Sequence, residues 1–241
     1  MNDRPVLRAI LLAFAIVLAG GLVGRGLVTF RMAERYVSVK GVAERTVNAD
    51  VGLWPLRWVA TGDALDVAQR KVEADRRAVV AFLARHGLDS TQTELQRLEV
   101  VDTQANEYQQ GRAASRFIVR MTLMVRTSEP EKIRAASQDI GELVAAGVVL
   151  SSGDGYGSGP TYLFTRLNDL KPAMLAEANA NARKAAEQFA KESRSKVGGI
   201  RRASQGVFEI LPRDQAPGIM ENSQLQKTLR VVSTVDYFLR D

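Results

Sequence analysis

From Tyr36 onward the apolar positions recur first at every second residue, then at every third or fourth, and this switching repeats to the end of the chain. YVSVKGV, residues 36–42, predicts a first strand. Residues 46–60 predict a second, in which Val47, Ala49, Val51 and Leu53 alternate with Asn48, Asp50 and Gly52. Pro55 has no N–H to give a ladder, so this strand is expected at a sheet edge or with a bulge at that point. Trp54 and Trp58 suit packing against a helix better than an exposed recognition patch. Asp63 is the expected cap of a helix running to about His86. Leu65, Val72, Val79 and Phe82/Leu83 recur along it at helical spacing, and Gly87 supplies a left-handed stop.

The same reading predicts a hairpin from a strand at 94–103 and a partner at 115–126. In the partner, Phe117, Val119, Met121, Leu123 and Val125 share one face, and Arg116, Arg120 and Arg126 lie on the other. Those arginines suit a solvated or acid-paired face better than an anion site. Ser128-Glu129-Pro130-Glu131 has the spacing of a capping box and predicts a helix ending near Gly147. Residues 160–166 predict a short strand and 172–194 a long, alanine-rich helix, which Gly198-Gly199 would end. The thin alanine side chains allow close approach by a sheet or by a neighbouring subunit. Strands at 200–211 and 227–240 follow. In the last, Leu229, Val231, Ser233, Val235, Tyr237 and Leu239 share a face. The order ββα-ββα-βα-ββ lacks the regular βαβ alternation of a doubly wound sheet. It predicts an α+β fold of largely antiparallel sheets with helices packed on one side.

The N-terminal part reads differently. Residues 9–24, AILLAFAIVLAGGLVG, carry no charge, and after Arg25 the apolar run continues to Phe30. As a helix, residues 9–30 would reach about 33 Å, enough for a hydrocarbon core of about 30 Å. This predicts an N-terminal transmembrane helix within an anchor segment, residues 1–35, ahead of a soluble domain, residues 36–241. A cleaved signal peptide is the alternative. Arg4 and Arg8 favour a cytoplasmic N-terminus, whereas Arg25, Arg31 and Arg35 oppose it. Since long domains translocate largely regardless of charge, the expected location is the bacterial inner membrane with the domain in the periplasm. The alternative is secretion to the periplasm after cleavage.

Composition narrows the chemistry. The 241 residues include no cysteine, which removes disulfides, thiolate nucleophiles and Cys-based metal sites. The net charge of +6 divides evenly between residues 1–35 and the rest. The folded part is therefore nearly balanced, and no nucleic-acid partner is expected. His86 is the lone histidine, so H-E-x-x-H is impossible, and its place at a helix end suits a structural role. SSGDGYGSGP, residues 151–160, resembles a phosphate cradle only at first sight. No lysine follows its glycines, and a strand follows where a phosphate-binding loop needs a helix. No G-x-S-x-G elbow occurs. The expectation is a non-enzyme with no catalytic, cofactor-binding or metal residues, no cofactor, and no identifiable small-molecule ligand.

Three stretches carry a family resemblance: YVSVKGVAERTVNADVGLWPLRW at the start of the soluble part, AEANANARKAAEQFAKESRSKVGGIRRASQGVF, and LRVVSTVDYFL at its end. Together they resemble the SIMPL domain, or DUF541, family over residues 36–240. One departure is Asn48-Ala49-Asp50, where many relatives have a Pro-Asp step; Asp50 keeps the acid. The resemblance implies a periplasmic or envelope-anchored protein, a link to stress responses and a tendency to form large homo-oligomers. It supplies no catalytic residues. The expected partners are the membrane, through residues 9–30, and other copies of the chain. The competing expectation is a periplasmic ligand-binding module rimmed by loops 103–114, 151–160 and 212–226.

Overall fold

The computed structural model describes residues 13–26, 35–105, 114–151 and 159–240. Residues 13–26 form helix α1. Then come β1 (Tyr36–Asn48), β2 (Val51–Gly62), α2 (Leu65–Arg85), β3 (Thr93–Asp102), β4 (Phe117–Thr127), α3 (Pro130–Gln138), α4 (Gly141–Ala145), β5 (Thr161–Leu163), α5 (Leu167–Glu192), β6 (Lys196–Gln205), β7 (Glu209–Pro212) and β8 (Gln226–Arg240). The α+β class and the antiparallel pairing follow the expectation. One sheet has the order β1-β8-β6, with β7 also paired to β8; the other has the order β3-β4-β2-β5. The chain divides into two compact units. One contains the described residues up to Glu44, Lys171–Glu209 and those from Arg230 onward; the other contains Arg45–Leu170 and Ile210–Leu229. All four boundaries fall inside a strand or helix.

In the second unit the sheet β3-β4-β2-β5 is backed by α2 and α3. Trp54 and Trp58 are fully enclosed with Val72, Val79, Phe82 and Leu83 of α2 and Ile133 of α3. The Trp58 Nε1–H donates to the Val72 carbonyl at 3.3 Å, so the ring's one polar atom is satisfied inside the core. The two tryptophans therefore pack against a helix, as expected.

The phase of β2 differs from the expectation. Its inward face is Gly52, Trp54, Leu56, Trp58 and Ala60, not the odd-numbered series that begins at Val47. The cause is a break at Ala49-Asp50, with a bend at Asp50, which ends β1 and starts β2 in the other sheet where the sequence pattern suggests one continuous strand.

Pro55 shows how a proline fits within such a sheet. β5 pairs only with Val51–Leu53. Farther along, the Val59 N–H donates to the Val149 carbonyl and the Ser151 N–H to the Arg57 carbonyl. Backbone groups alternate sides along a strand. The Pro55 nitrogen therefore faces the side of β5 and Val149–Ser151, away from β4, and deprives the β2–β4 ladder of no donor. The strand is not bulged against β4 here, and among the described residues no strand partner is paired with Pro55 on the other side.

In the first unit α5 lies on the sheet through one small residue per turn: Ala178, Ala182, Ala186 and Ala190 are all buried. Ala182 and Ala186 pack with Val39, Val235 and Tyr237. Gly41 faces them, and the Asn181 Nδ2 donates to the Val42 carbonyl at 2.8 Å. The alanine face is thus occupied within the chain, against its own sheet.

Several local expectations need correction. Asp63 does not cap α2; the cap is Ala64, with no side-chain bond. The Ser128 capping box does not form. Pro130 at the first turn makes Glu129 the cap, and the Glu129 N–H goes back to the Thr127 hydroxyl at 3.0 Å. The helix expected to run to Gly147 breaks into α3 and α4, and Gly147, with φ of 80°, ends the second. The long helix starts at Leu167, with Pro172 inside it. Gly198-Gly199 do not end that unit but lie within β6, at register shifts against β8. Residues 200–211 divide between β6 and β7, and the strand expected at 160–166 has three residues.

Helix α1 spans about 21 Å at the usual rise. Its apolar side chains are open: Phe14, Ile16, Val17, Leu18, Leu22 and Val23 are 56–73% exposed. Among the described residues, no helix is long and apolar enough to cross a membrane. The remaining parts of the expected 9–30 span, residues 9–12 and 27–30, lie outside the described residues.

Candidate functional site

Asp50 is the acid that the sequence retains at the β1–β2 junction, and its surroundings explain it. Its Oδ1 accepts the Thr165 N–H at 2.8 Å, and its Oδ2 accepts the Thr165 hydroxyl at 3.0 Å. Arg166 Nε lies 3.4 Å from the same carboxylate. Backbone bonds add to this knot: Asp50 N–H to the Leu163 carbonyl and Ala49 N–H to the Leu225 carbonyl. An open cleft of about 680 Å³ lies beside it, lined partly by Asp50, Arg166, Asp169, Glu131 and Phe164. Both carboxylate oxygens are engaged, and Asp50 ties the β1–β2 junction to the segment that precedes α5.

A second cleft, of about 790 Å³, lies over the polar face of the β3-β4-β2 sheet. Thr122 of β4 stands opposite Arg57 of β2 on one side and Arg97 of β3 on the other. Arg120 lies beside this row, with Nη1 3.3 Å from Glu99. The sequence grouped Arg116, Arg120 and Arg126 because they share a strand. The structure separates them. Arg116 is bound to Asp102 at 2.9 Å, and its guanidinium holds that carboxyl below its usual range. Arg126 is exposed opposite Leu53. The arginines that do meet come from three strands, and cross-strand register, which brings them together, leaves no mark in the local pattern.

His86 is the residue that follows α2. Its ring packs on Phe82 with centroids 4.7 Å apart, and its Nε2 lies 3.9 Å from Asp139. Neither a serine nor a second histidine joins it in these contacts. Tyr162 is buried, which pushes its phenol above the ordinary value despite its bond to Ser137. Among the described residues, no group of three or more His, Asp or Glu side chains is placed to hold a metal ion. Most of loop 103–114 and of 151–160 lies outside the described residues, at 106–113 and 152–158. Loop 212–226 is described. Asp214 N–H and carbonyl both bond the Gln224 side chain, and Lys227, wholly buried at its end, places Nζ 2.7 Å from Glu221 Oε1.

The third surface is β3 itself. Among the described residues it ends the sheet, with β4 as its partner. Leu95, Leu98 and Val100 stand opposite Leu123, Met121 and Val119, so they share the apolar face of the sheet. Their partners are buried, yet these three are 50–54% exposed. A ten-residue edge strand with an apolar row on its inner face is the kind that invites a further strand.

One family, described as SIMPL, protein of unknown function (DUF541), matches residues 37–235. No curated protein matches the chain.

Proposed function

The chain belongs to the SIMPL (DUF541) family, and on that premise we propose that it is a non-enzymatic envelope protein whose extracytoplasmic domain self-associates into a homo-oligomeric scaffold. The observation that carries this reading is the half-exposed row of Leu95, Leu98 and Val100 on a strand whose outer edge has no partner among the described residues. Burying such a row against another copy removes apolar surface from water and satisfies the free backbone groups of the edge at the same time. The uncovered apolar side chains of α1 suit a membrane anchor centred on residues 9–30, which would hold the copies at the inner membrane with their domains in the periplasm. The envelope stress response is the setting we assign to such a scaffold.

Size-exclusion chromatography with light scattering on the full chain in mild detergent tests the reading. Multimers are expected at micromolar concentration. A strict monomer at high micromolar concentration would overturn it.

The second reading, a periplasmic ligand-binding module, draws on the row of Arg57, Thr122 and Arg97. It predicts that inorganic phosphate or a dicarboxylate raises the melting temperature and that Arg57→Ala abolishes the rise. No shift with any anion, alongside clear multimers, would leave self-association as the function.

A further inference from the structure

Among the described strands that end a sheet, β1 has no exposed row like that of β3, since its Val39 and Ala43 are buried; β5 and β7 have three and four residues, and β6 carries two register shifts against β8. Short or irregular edges of this kind resist pairing. Strand β3 has one irregularity, between Leu95 and Arg97, and runs regularly from Arg97 to Asp102. Its outward positions there bear opposite charges: Arg97 is exposed, and Glu99 is half-buried beside Arg120.

Resting on the self-association proposed above, we infer that β3 pairs antiparallel with β3 of a second copy about a two-fold axis at Leu98. The register follows from elimination. Directly opposed residues in an antiparallel pair share a face, so the axis must pass through a residue and not between two. An axis at Arg97 sets Arg97 against itself, and one at Glu99 sets Glu99 against itself; like charges directly opposed destabilise a pair. An axis at Val100 leaves Leu98 facing Asp102, one at Val101 leaves Val100 facing Asp102, and one at Asp102 sets that carboxylate against itself. With the axis at Leu98, Arg97 of each copy faces Glu99 of the other, and Leu98 meets Leu98 on the apolar face. The strand is self-complementary in charge and in hydrophobicity, which an isologous contact requires. Glu99 would then sit between Arg120 of its own chain and Arg97 of the other copy. Because the contact uses up the edge on both copies, it closes as a pair and does not propagate as a fibre. Larger assemblies would join such pairs through other surfaces.

The absence of cysteine makes the test direct, because any introduced thiol is the only one. Full-length Leu98→Cys in detergent, treated with mild oxidant or a short bis-thiosulfonate linker, is expected to give a covalent dimer on denaturing gels. Val144→Cys, on exposed α4, and Glu99→Cys are the controls and should give far less. Arg97→Glu should weaken association about tenfold or more, since two symmetry-related contacts change sign. Arg97→Glu with Glu99→Arg should restore much of it. Unchanged melting temperatures would confirm that the variants fold. Multimers that persist with no Leu98→Cys cross-link above controls, or with no effect of Arg97→Glu, would overturn this interface while leaving self-association standing. A monomeric wild type would overturn both.

Discussion

A Cβ on Gly41 would overlap the carbonyl oxygen of Ala178 and stand 2.9 Å from the Ala182 Cβ. Helix α5 approaches β1 this closely because one member of the contact is glycine and the other is a row of alanines. Gly41→Ala is expected to destabilise the protein by about 3 kcal/mol. The clash is with helix backbone, so Ala178→Gly should not rescue it. Chemical denaturation of the single and double variants measures both. A tolerated Gly41→Ala would mean that the helix can lift from the sheet at little cost.

Asp50→Ala removes two hydrogen bonds from Thr165 and leaves the β1–β2 junction without that tie. Bonds to charged acceptors of this kind contribute about 2 kcal/mol each, and the loss should appear as a lower melting temperature. Asp50→Asn, which keeps the acceptor oxygen, should recover part of it. The same pair separates a structural acid from a working one: anion binding at the Arg57–Thr122–Arg97 row should be unaffected by either change.

Lys227 is fully enclosed, while its partner Glu221 reaches the surface at 31% exposure. Removing the carboxylate leaves a buried ammonium with one fewer acceptor, so Glu221→Ala should destabilise by about 2 kcal/mol. Lys227→Met removes the buried charge and fills similar space, and should stay within about 1 kcal/mol of the parent. Urea midpoints of the two variants decide the order, and a reversed order would refute the argument.

Tyr162 gives a pH signature. Burial raises its phenol above the ordinary value near 10, so the folded state holds the proton more tightly than the unfolded chain does. Its contribution is fully present below about pH 10 and is lost as pH rises through the folded value. Tyr162→Phe should flatten the alkaline limb of a stability–pH profile. At neutral pH it should lose about 1 kcal/mol with the Ser137 bond. Ultraviolet titration of the phenolate locates the shifted value, and an unshifted one would refute the claim.

Much of the fold was readable because β4 and β8 alternate cleanly: one parity is apolar, the other polar, and the buried faces are those the pattern predicts. The β1–β2 boundary was not readable for a related reason. Across residues 46–60 both parities hold apolar side chains, Val47 to Leu53 in one and Trp54 to Ala60 in the other, so the period shows no break where β1 ends and β2 begins. Capping failed as a signal at Ser128 because Pro130 makes Glu129 the cap, and at Asp63 because α2 starts one residue later, after Ala64, without any side-chain cap. Gly198-Gly199 mark a helix end and a strand irregularity equally well. The edge character of β3 was out of reach for sequence reading. Leu95, Leu98 and Val100 look like core positions, and the strand order is what puts them at a sheet end, where no described helix or strand buries them.

The chain passes from one compact unit to the other four times, and its first sheet joins the earliest described strand, β1, to the latest, β8. This sets an order of events in synthesis. Strand β1 emerges first and has no native neighbour in its sheet until the final residues of β8 are made. Neither unit can be completed early, because residues 210–229 belong to one and those from 230 onward to the other. Such long-range closure slows folding and prolongs the exposure of unpaired strands. A chain that stops short of Gln226 would therefore forfeit both units at once.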